Sequence, residues 1–391
     1  MTVRRRLFLV IATAIALTVT AVVAGAAIGL PKSAEGRGSR ADATASPMAT
    51  HLPVSKSSPN TNATTLGRAF LADWVEGGRV VRRDQGSDTV SEGQAYGMLI
   101  ALSLKDEKSF DSLWRWTEKN LQKRDGLLAW RWQNGTVVDG TPASDADLDV
   151  ARALVIAGKQ FGRSDLRTAG TRLATAIADT LTVQTSLGRI LLPGPWAATN
   201  PHSYNPSYAS PVSFQVLGDA TGDPRWTELA AGSRAVTNKL LDVAALPSDW
   251  AQVNDDGTVA VIPGPTGTSG EVTYGYDAAR TAIRFAESCS PADVAISARI
   301  SPTLSRSTKL AAVLDLGGSA KTRDKSPLAY AARAAASAAG GNNGAAQADL
   351  TRAARLSSSV PTYYGRAWTA LALSMLRQTT LGGCAPLAGR N

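Results

Sequence analysis

Six stretches of the chain, residues 92–104, 147–161, 166–182, 226–241, 328–339 and 363–376, carry Ala, Leu, Val or Ile at i, i+3, i+4 and i+7. That spacing lays the apolar side chains along one face of an α-helix and is incompatible with a strand, whose faces alternate every residue. Strand-like alternation is confined to short pieces such as residues 128–132 and 258–262. A parallel α/β sheet is therefore not expected. Ala-rich helices joined by short Gly, Pro, Asp and Asn punctuation, with no heptad seam, predict helical hairpins curled into a closed or solenoidal array. No repeat is visible residue by residue, so the pattern alone leaves closure open.

The 391 residues fall into three parts. Arg4, Arg5 and Arg6 precede residues 7–30, which carry no charge, and about two dozen apolar residues can cross a ~30 Å hydrocarbon core. Positive charge ahead of the run orients it for export. Residues 1–30 are thus a membrane anchor or a signal peptide: the length favours an anchor, while Ala24-Gly25-Ala26 resembles a cleavage site. Residues 31–65 are Ala, Ser, Thr, Pro and Gly with scattered charge, too poor in apolar surface to offset the entropy of ordering, and read as a disordered, flexible tether. Residues 66–391 form one large domain. With 44% hydrophobic residues the chain can bury a sizeable core.

The formal charge of +9 suggests an acidic partner until its distribution is read. Residues 1–65 carry seven basic and two acidic side chains, which leaves a net of only +4 on the large domain. Nucleic acid is not needed to explain it. Two His and two Cys leave too few soft ligands for a zinc or iron–sulfur centre. No Gly-x-Ser-x-Gly elbow is present to pair with His202. Neither a metal nor a cofactor is expected, and the carboxylates remain as the groups able to do chemistry.

Three groups of carboxylates sit where helices are expected to begin. Ser91-Glu92-Gly93-Gln94 reads as a capping box that places Glu92 in the first turn, with Gly93 and Gly97 suited to a ligand-facing helix end. Ser144-Asp145-Ala146-Asp147-Leu148-Asp149 packs three Asp into about one turn, one more than dipole stabilisation needs. Asp277 can be an N-cap with Arg280 as its ion-pair partner. Each has a plainer reading, as dipole compensation, a solvated acidic cap or a simple cap; a calcium site is conceivable for the triple Asp, but it lacks the twelve-residue loop. Trp130 and Trp132, two apart in an extended stretch, project to the same side and could stack on sugar rings, or could be core filler. Tyr204-Asn205-Pro206-Ser207-Tyr208 is a rigid hydroxyl-binding loop or a turn.

Taken together, these residues resemble glycoside hydrolase family 8. Residues 79–98 contain a run similar to that family's most distinctive motif, and residues 143–151 look like its signature. Trp130-Arg131-Trp132, Asn205-Pro206-Ser207-Tyr208, Leu246-Pro247 with Asp249-Trp250, and Tyr276-Asp277-Ala278-Ala279-Arg280 follow in the family's order. The resemblance implies an all-α (α/α)6 toroid, six helical hairpins in two concentric rings. It also implies an inverting endo-acting hydrolase of a β-linked polysaccharide. Carried over by position, Glu92 is the general acid, Asp277 the general base, and Asp145 the residue that binds and distorts the sugar at the cleavage point. Trp130, Trp132, Tyr204, Asn205, Tyr208, Tyr276 and Arg280 are the expected substrate contacts. An Asp at position 277 disfavours the chitosanase-like branch.

Two departures stand out. Thr281-Ala282-Ile283 replaces the usual continuation with Pro and Trp, and Val150 stands where Ile or Met is usual. Cys289 and Cys384 are expected either to form a disulfide outside the membrane, tying the C-terminal tail to a helix end, or to remain two buried thiols. The overall expectation is a monomeric endo-β-1,4-glucanase, secreted or held at the cell surface. A xylanase or other β-glycan hydrolase of the same family, or a non-catalytic polysaccharide-binding protein associated with glycan synthesis, are the alternatives.

Overall fold

A computed structural model describes residues 62–388, apart from residue 269. The expected export segment, and the tether as far as residue 61, lie outside the described residues. Helix α1 (Ala63–Trp74) already begins at the end of the expected tether, capped by the Asn62 side chain on the Thr64 N–H at 2.9 Å. Among the described residues no helix is long and apolar enough to cross a membrane.

Eleven more helices follow: α2 (Ser91–Ser103), α3 (Glu107–Leu121), α4 (Ser144–Gln160), α5 (Ser164–Thr180), α6 (Pro211–Thr221), α7 (Arg225–Val243), α8 (Ala278–Ala286), α9 (Pro291–Leu304), α10 (Pro327–Ala339), α11 (Asn343–Ser359) and α12 (Tyr363–Arg377). The even-numbered helices pack in sequence, α2 on α4, α4 on α6, α6 on α8, α8 on α10, α10 on α12, and α12 returns to α2. Each carries an outer partner, α3, α5, α7, α9 and α11 in turn, with α1 packing on α12 to complete the sixth hairpin. The described residues thus form an (α/α)6 toroid.

Burial separates the rings as their sequences dictate. In α2 every residue but Glu92 is buried, and in α8 all nine are. The all-round apolar α2 belongs inside other helices, whereas α8, which carries Arg280 and Arg284, is buried because α4 supplies their counter-ions. Outer helix α3 buries only Phe110, Leu113, Trp114, Thr117 and Leu121, and α11 only Ala346, Asp349, Leu350, Ala353, Ala354 and Ser357. Each set is a single stripe at helical spacing, and the opposite face is left to solvent.

The interior also holds charge. Asp145, Asp149 and Arg152 of α4 pair with Arg280 and Arg284 of α8 and with Glu287 just beyond it. All six side chains are 5% exposed or less, so each needs its partner. Each pair is separated by 135 residues, so α4 and α8 run in the same direction and their N-termini share one end of the barrel. At the other end the C-terminal segment crosses beneath. Leu381 O accepts from Arg152 Nε and Nη2 at 2.9 and 2.6 Å, Cys384 N donates to Glu287 O at 3.0 Å, and Cys289 and Cys384 form a disulfide.

Candidate active site

Antiparallel strands lie at the N-terminal end of the inner ring and set where its helices start. Thr89–Val90 pairs with Arg131–Gln133, Thr89 opposite Trp132 and Val90 opposite Arg131. The Ser91 N–H then donates to Trp130 O at 2.8 Å. Because a strand supplies that partner, the expected capping box is not formed. Val90 is the N-cap, and Ser91 Oγ is buried without a hydrogen-bond partner. Gln94 turns elsewhere: its Oε1 accepts from Val80 N at 2.6 Å, and its Nε2 donates to Gly78 O and Thr117 Oγ1 at 3.0 and 2.8 Å. The glycines also differ from expectation. A Cβ on Gly93 would lie 2.9 Å from Tyr363 Oη, and one on Gly97 2.9 Å from Val80 Cγ2, so both admit protein neighbours rather than a ligand.

Glu92 alone of α2 faces the open end, its side chain 22% exposed. The three carboxylates carried by the starts of α2, α4 and α8 converge there on one guanidinium. Arg280 Nη1 donates to Glu92 Oε1 at 3.1 Å and to Asp145 Oδ2 at 2.8 Å, and its Nη2 donates to Asp277 Oδ1 at 2.6 Å. Arg280 is 1% exposed and rests over Tyr208 and Trp368, its Cζ 5.3 and 6.0 Å from the ring centroids. Two oxygens held by one guanidinium are at most about 8 Å apart, which still admits the ~6.5–9.5 Å separation at which a carboxyl pair leaves room for a water.

Electrostatics divide the carboxylates. Burial pushes the Glu92 carboxyl up to about 7; the Asp145 and Asp277 charges push the same way, against the pull of Arg280 and of the hydrogen bond from Tyr96 Oη. A carboxyl that keeps its proton near neutral pH can donate it. Burial also raises Asp145, opposed by Arg280. The other two Asp of the cluster are structural. Asp147 is pushed well up by burial, and its Oδ1 accepts from Leu128 N at 2.8 Å, anchoring the stretch that leads to Trp130. Asp149 is bound to Arg284.

Asp277 stands at the N-cap of α8 but makes no side-chain cap bond. Asp249 takes that duty: its Oδ1 accepts from Gly275 N and Ala278 N at 3.0 and 2.7 Å, and its Oδ2 accepts from Thr273 Oγ1 at 2.9 Å. The Asp277 carboxylate is left to Arg280 and the open end. Burial, reinforced by the Asp277 charge, pushes Asp249 up to about 6.

The expected substrate contacts divide. Tyr208, half-buried, lies beneath Arg280, and Tyr276, 47% exposed, packs edge-on to Tyr364 at the same end. Trp130 is half-buried and meets α2 through its backbone; Trp132 packs edge-on to Trp116 at 5.3 Å. Asn205 is buried, its Oδ1 accepting from the Ser207 N–H and hydroxyl, which fixes the turn beneath Tyr208. Tyr204 is not brought to the carboxylates: it is 1% exposed in a second apolar cluster with Ile190, Val236, Leu240, Ala251 and Val253. His202 is buried at the start of the short strand His202–Tyr204, its ring nitrogens on Ala197 O and Asp255 Oδ1. Sequence reading did not single out Tyr364 or the capping duty of Asp249. It also missed Trp196, 46% exposed, whose ring meets Trp250 and through it Tyr208. The place of Asp249-Trp250 ahead of Asp277 in chain order was the available signal for the cap.

The family model described as Glycosyl hydrolases family 8 matches residues 48–378. A probable endoglucanase of Novacetimonas hansenii is 35% identical over 216 residues, 53% of this chain and 62% of that protein. An endoglucanase of Cellulomonas uda is 31% identical over 187 residues, 46% of this chain and 52% of that protein. The chain therefore spans about half to three-fifths of the length of these curated relatives. Among solved structures, the endo-β-1,4-glucanase CMCax from Acetobacter xylinum superposes with a TM-score of 0.67 at 27% identity, covering 81% of this chain and 98% of that one. A β-1,3-1,4-glucanase from Paenibacillus sp. X4 shares the fold with a TM-score of 0.70 at 22% identity, covering 82% and 91%.

Proposed function

The chain belongs to glycosyl hydrolase family 8, and from that premise we propose that it is an endo-β-1,4-glucanase that cleaves with inversion. The observation that carries this reading is the convergence of Glu92, Asp145 and Asp277 on Arg280 at one end of the toroid. Glu92, raised to about 7, is the general acid that gives its proton to the leaving glycosidic oxygen. Asp277, released from capping by Asp249, is the base that takes a proton from the water attacking the anomeric carbon from the opposite face. Asp145 holds the sugar between them. Arg280 fixes the spacing of all three, and Tyr208, Tyr276 and the exposed Trp196 supply aromatic surface for sugar rings.

The enzyme acts outside the cytoplasm, as a monomer, anchored through residues 7–30 or released from them. Support for this comes from Arg4, Arg5 and Arg6 ahead of the apolar run and from the Cys289–Cys384 disulfide, which suits an oxidising compartment. The test is reducing-sugar release from carboxymethyl cellulose, lichenan, xylan and chitosan, with the anomer of the first product read by NMR. Wild type is expected to cut the β-1,4-glucans to α-anomeric ends, and Glu92→Gln to lose about 10²–10⁴-fold in kcat. A wild type that binds these polymers and cuts none is a binding protein, and equal activity of the variant removes Glu92 from the acid role.

A further inference from the structure

The rim beside Glu92 carries four arginines, three of which are paired with a carboxylate. Arg82 and Arg131 share the fully buried Asp88 at 2.7 and 2.5 Å, and Arg83 pairs with Glu76 at 3.3 Å. Arg79 has no carboxylate within ion-pair distance among the described residues. It lies half-buried at the start of the two-residue strand Arg79–Val80, with its Cζ 4.7 Å from the centre of the Trp132 ring. One Nη2 bond to Ser87 O pins the group, and its buried Nε has no acceptor.

With its Cζ over the indole and Nη2 on Ser87 O, the guanidinium is held at two points, and Nη1 is the nitrogen left to a ligand. That is the geometry that recognises a carboxylate. The place is adjacent to the reacting groups. Trp132 is paired with Thr89, in the strand that runs directly into α2 and Glu92, and Arg82 on the same rim is within electrostatic reach of Glu92. Burial lowers the Arg79 guanidinium against the more distant charges of Glu76 and Asp88, neither of which bonds it, so an anion placed in direct contact would add a partner that the protein does not supply.

We propose that Arg79, laid on Trp132, is a subsite for a carboxylate borne by the glycan chain, so that the substrate class includes β-glucans carrying uronic acid units. This rests on the hydrolase reading above. The experiment compares kcat/KM on a soluble β-glucan with kcat/KM on the same polymer after partial oxidation of its C6 hydroxyls to carboxylates. The ratio of acidic to neutral substrate is expected to fall about three- to tenfold in Arg79→Gln, the range of a partly exposed charge-assisted pair. Arg79→Lys, which keeps the charge and loses the planar fork, is expected to fall between the two. The difference should shrink in 0.5 M salt. An unchanged ratio, whether because both substrates suffer alike or neither does, overturns the proposal and leaves Arg79 as packing. Calorimetric binding of an oxidised oligosaccharide to wild type and Arg79→Gln keeps the subsite testable if neither polymer is cut, an outcome that would refute the hydrolase reading separately. Equal affinity in that measurement also overturns the subsite.

Discussion

Replacing Asp145 by Asn removes a negative charge that helps keep the Glu92 proton in place. Both carboxylates bond the same nitrogen of Arg280, at 2.8 and 3.1 Å, so their nearest oxygens are no more than about 6 Å apart. At that distance two charges interact by roughly 1–3 kcal/mol for an effective dielectric constant between about 60 and 20, or about 1–2 pKa units. Arg280 bonds both carboxylates and screens part of that interaction, which brings the expectation to the lower end, about one unit. Glu92, now near 7, would then lose its proton at lower pH, and the alkaline limb of kcat/KM would move toward acid by about that amount. The assay is reducing-end release from a soluble β-glucan from pH 4 to 10, reading the position of the limb rather than its height, because Asp145 is also proposed to hold the sugar. A limb that stays in place, or that moves to higher pH, refutes the claim that Asp145 tunes the acid.

Glu92 also predicts a pH-dependent stability. Its carboxyl titrates near 4.5 when unperturbed and near 7 in the fold, so the native state binds the proton more tightly; the cost of burying it is absent below about pH 4.5 and grows to about 3 kcal/mol by pH 7. Glu92→Gln should therefore raise Tm relative to wild type at pH 8 but not at pH 4, and an equal difference at both would contradict the shift. Arg152→Met leaves Glu287 charged and fully buried without its cation and should cost about 3–5 kcal/mol in urea unfolding, most of it recovered when Glu287 is also made apolar. Asp249→Ala should lower stability by about 0.5–2 kcal/mol and reduce kcat by unfixing the start of α8. Asp249→Asn, which keeps an acceptor for Gly275 and Ala278, should retain most of both, and identical losses in the two variants would argue against the capping role.

The helices legible in sequence, such as residues 147–161 in α4 and 363–376 in α12, are long and strongly periodic. Those passed over were masked by composition or length rather than by a lack of period: the apolar stripe of α3 is interleaved with many charges, α9 contains Pro302, and α8 is only nine residues long with two Arg among them. The carboxylates were visible as excess charge at helix starts, because dipole stabilisation could not use all of them. Their partners were not. Arg280 could be paired with Asp277 by its place one turn on, but its bonds to Glu92 and Asp145 exist only because ring closure brings together residues 188 and 135 positions apart. The capping box failed for the same reason, since the strand that displaced it comes from about forty residues downstream. Tyr204 looked like its neighbour Tyr208 in sequence, yet a short strand, His202–Tyr204, carries it into an apolar pocket.

The order of charge along the two facing inner helices has a consequence for assembly. Read from the active end, α4 presents acid, acid, base, and α8 with its following residue presents base, base, acid. If α8 were threaded one helical turn out of place, Arg280 would meet Asp149, Arg284 would come against Arg152, and Asp145 would be left without a counter-ion. A uniform apolar interface tolerates such a slip, because one Ala or Leu serves nearly as well as the next. Here the slip creates a buried repulsion and an orphaned carboxylate together, each worth several kcal/mol. The three pairs therefore act as a key with one fit. A toroid closed by ring helices rich in Ala is held to the single alignment in which the groups around Arg280 can meet.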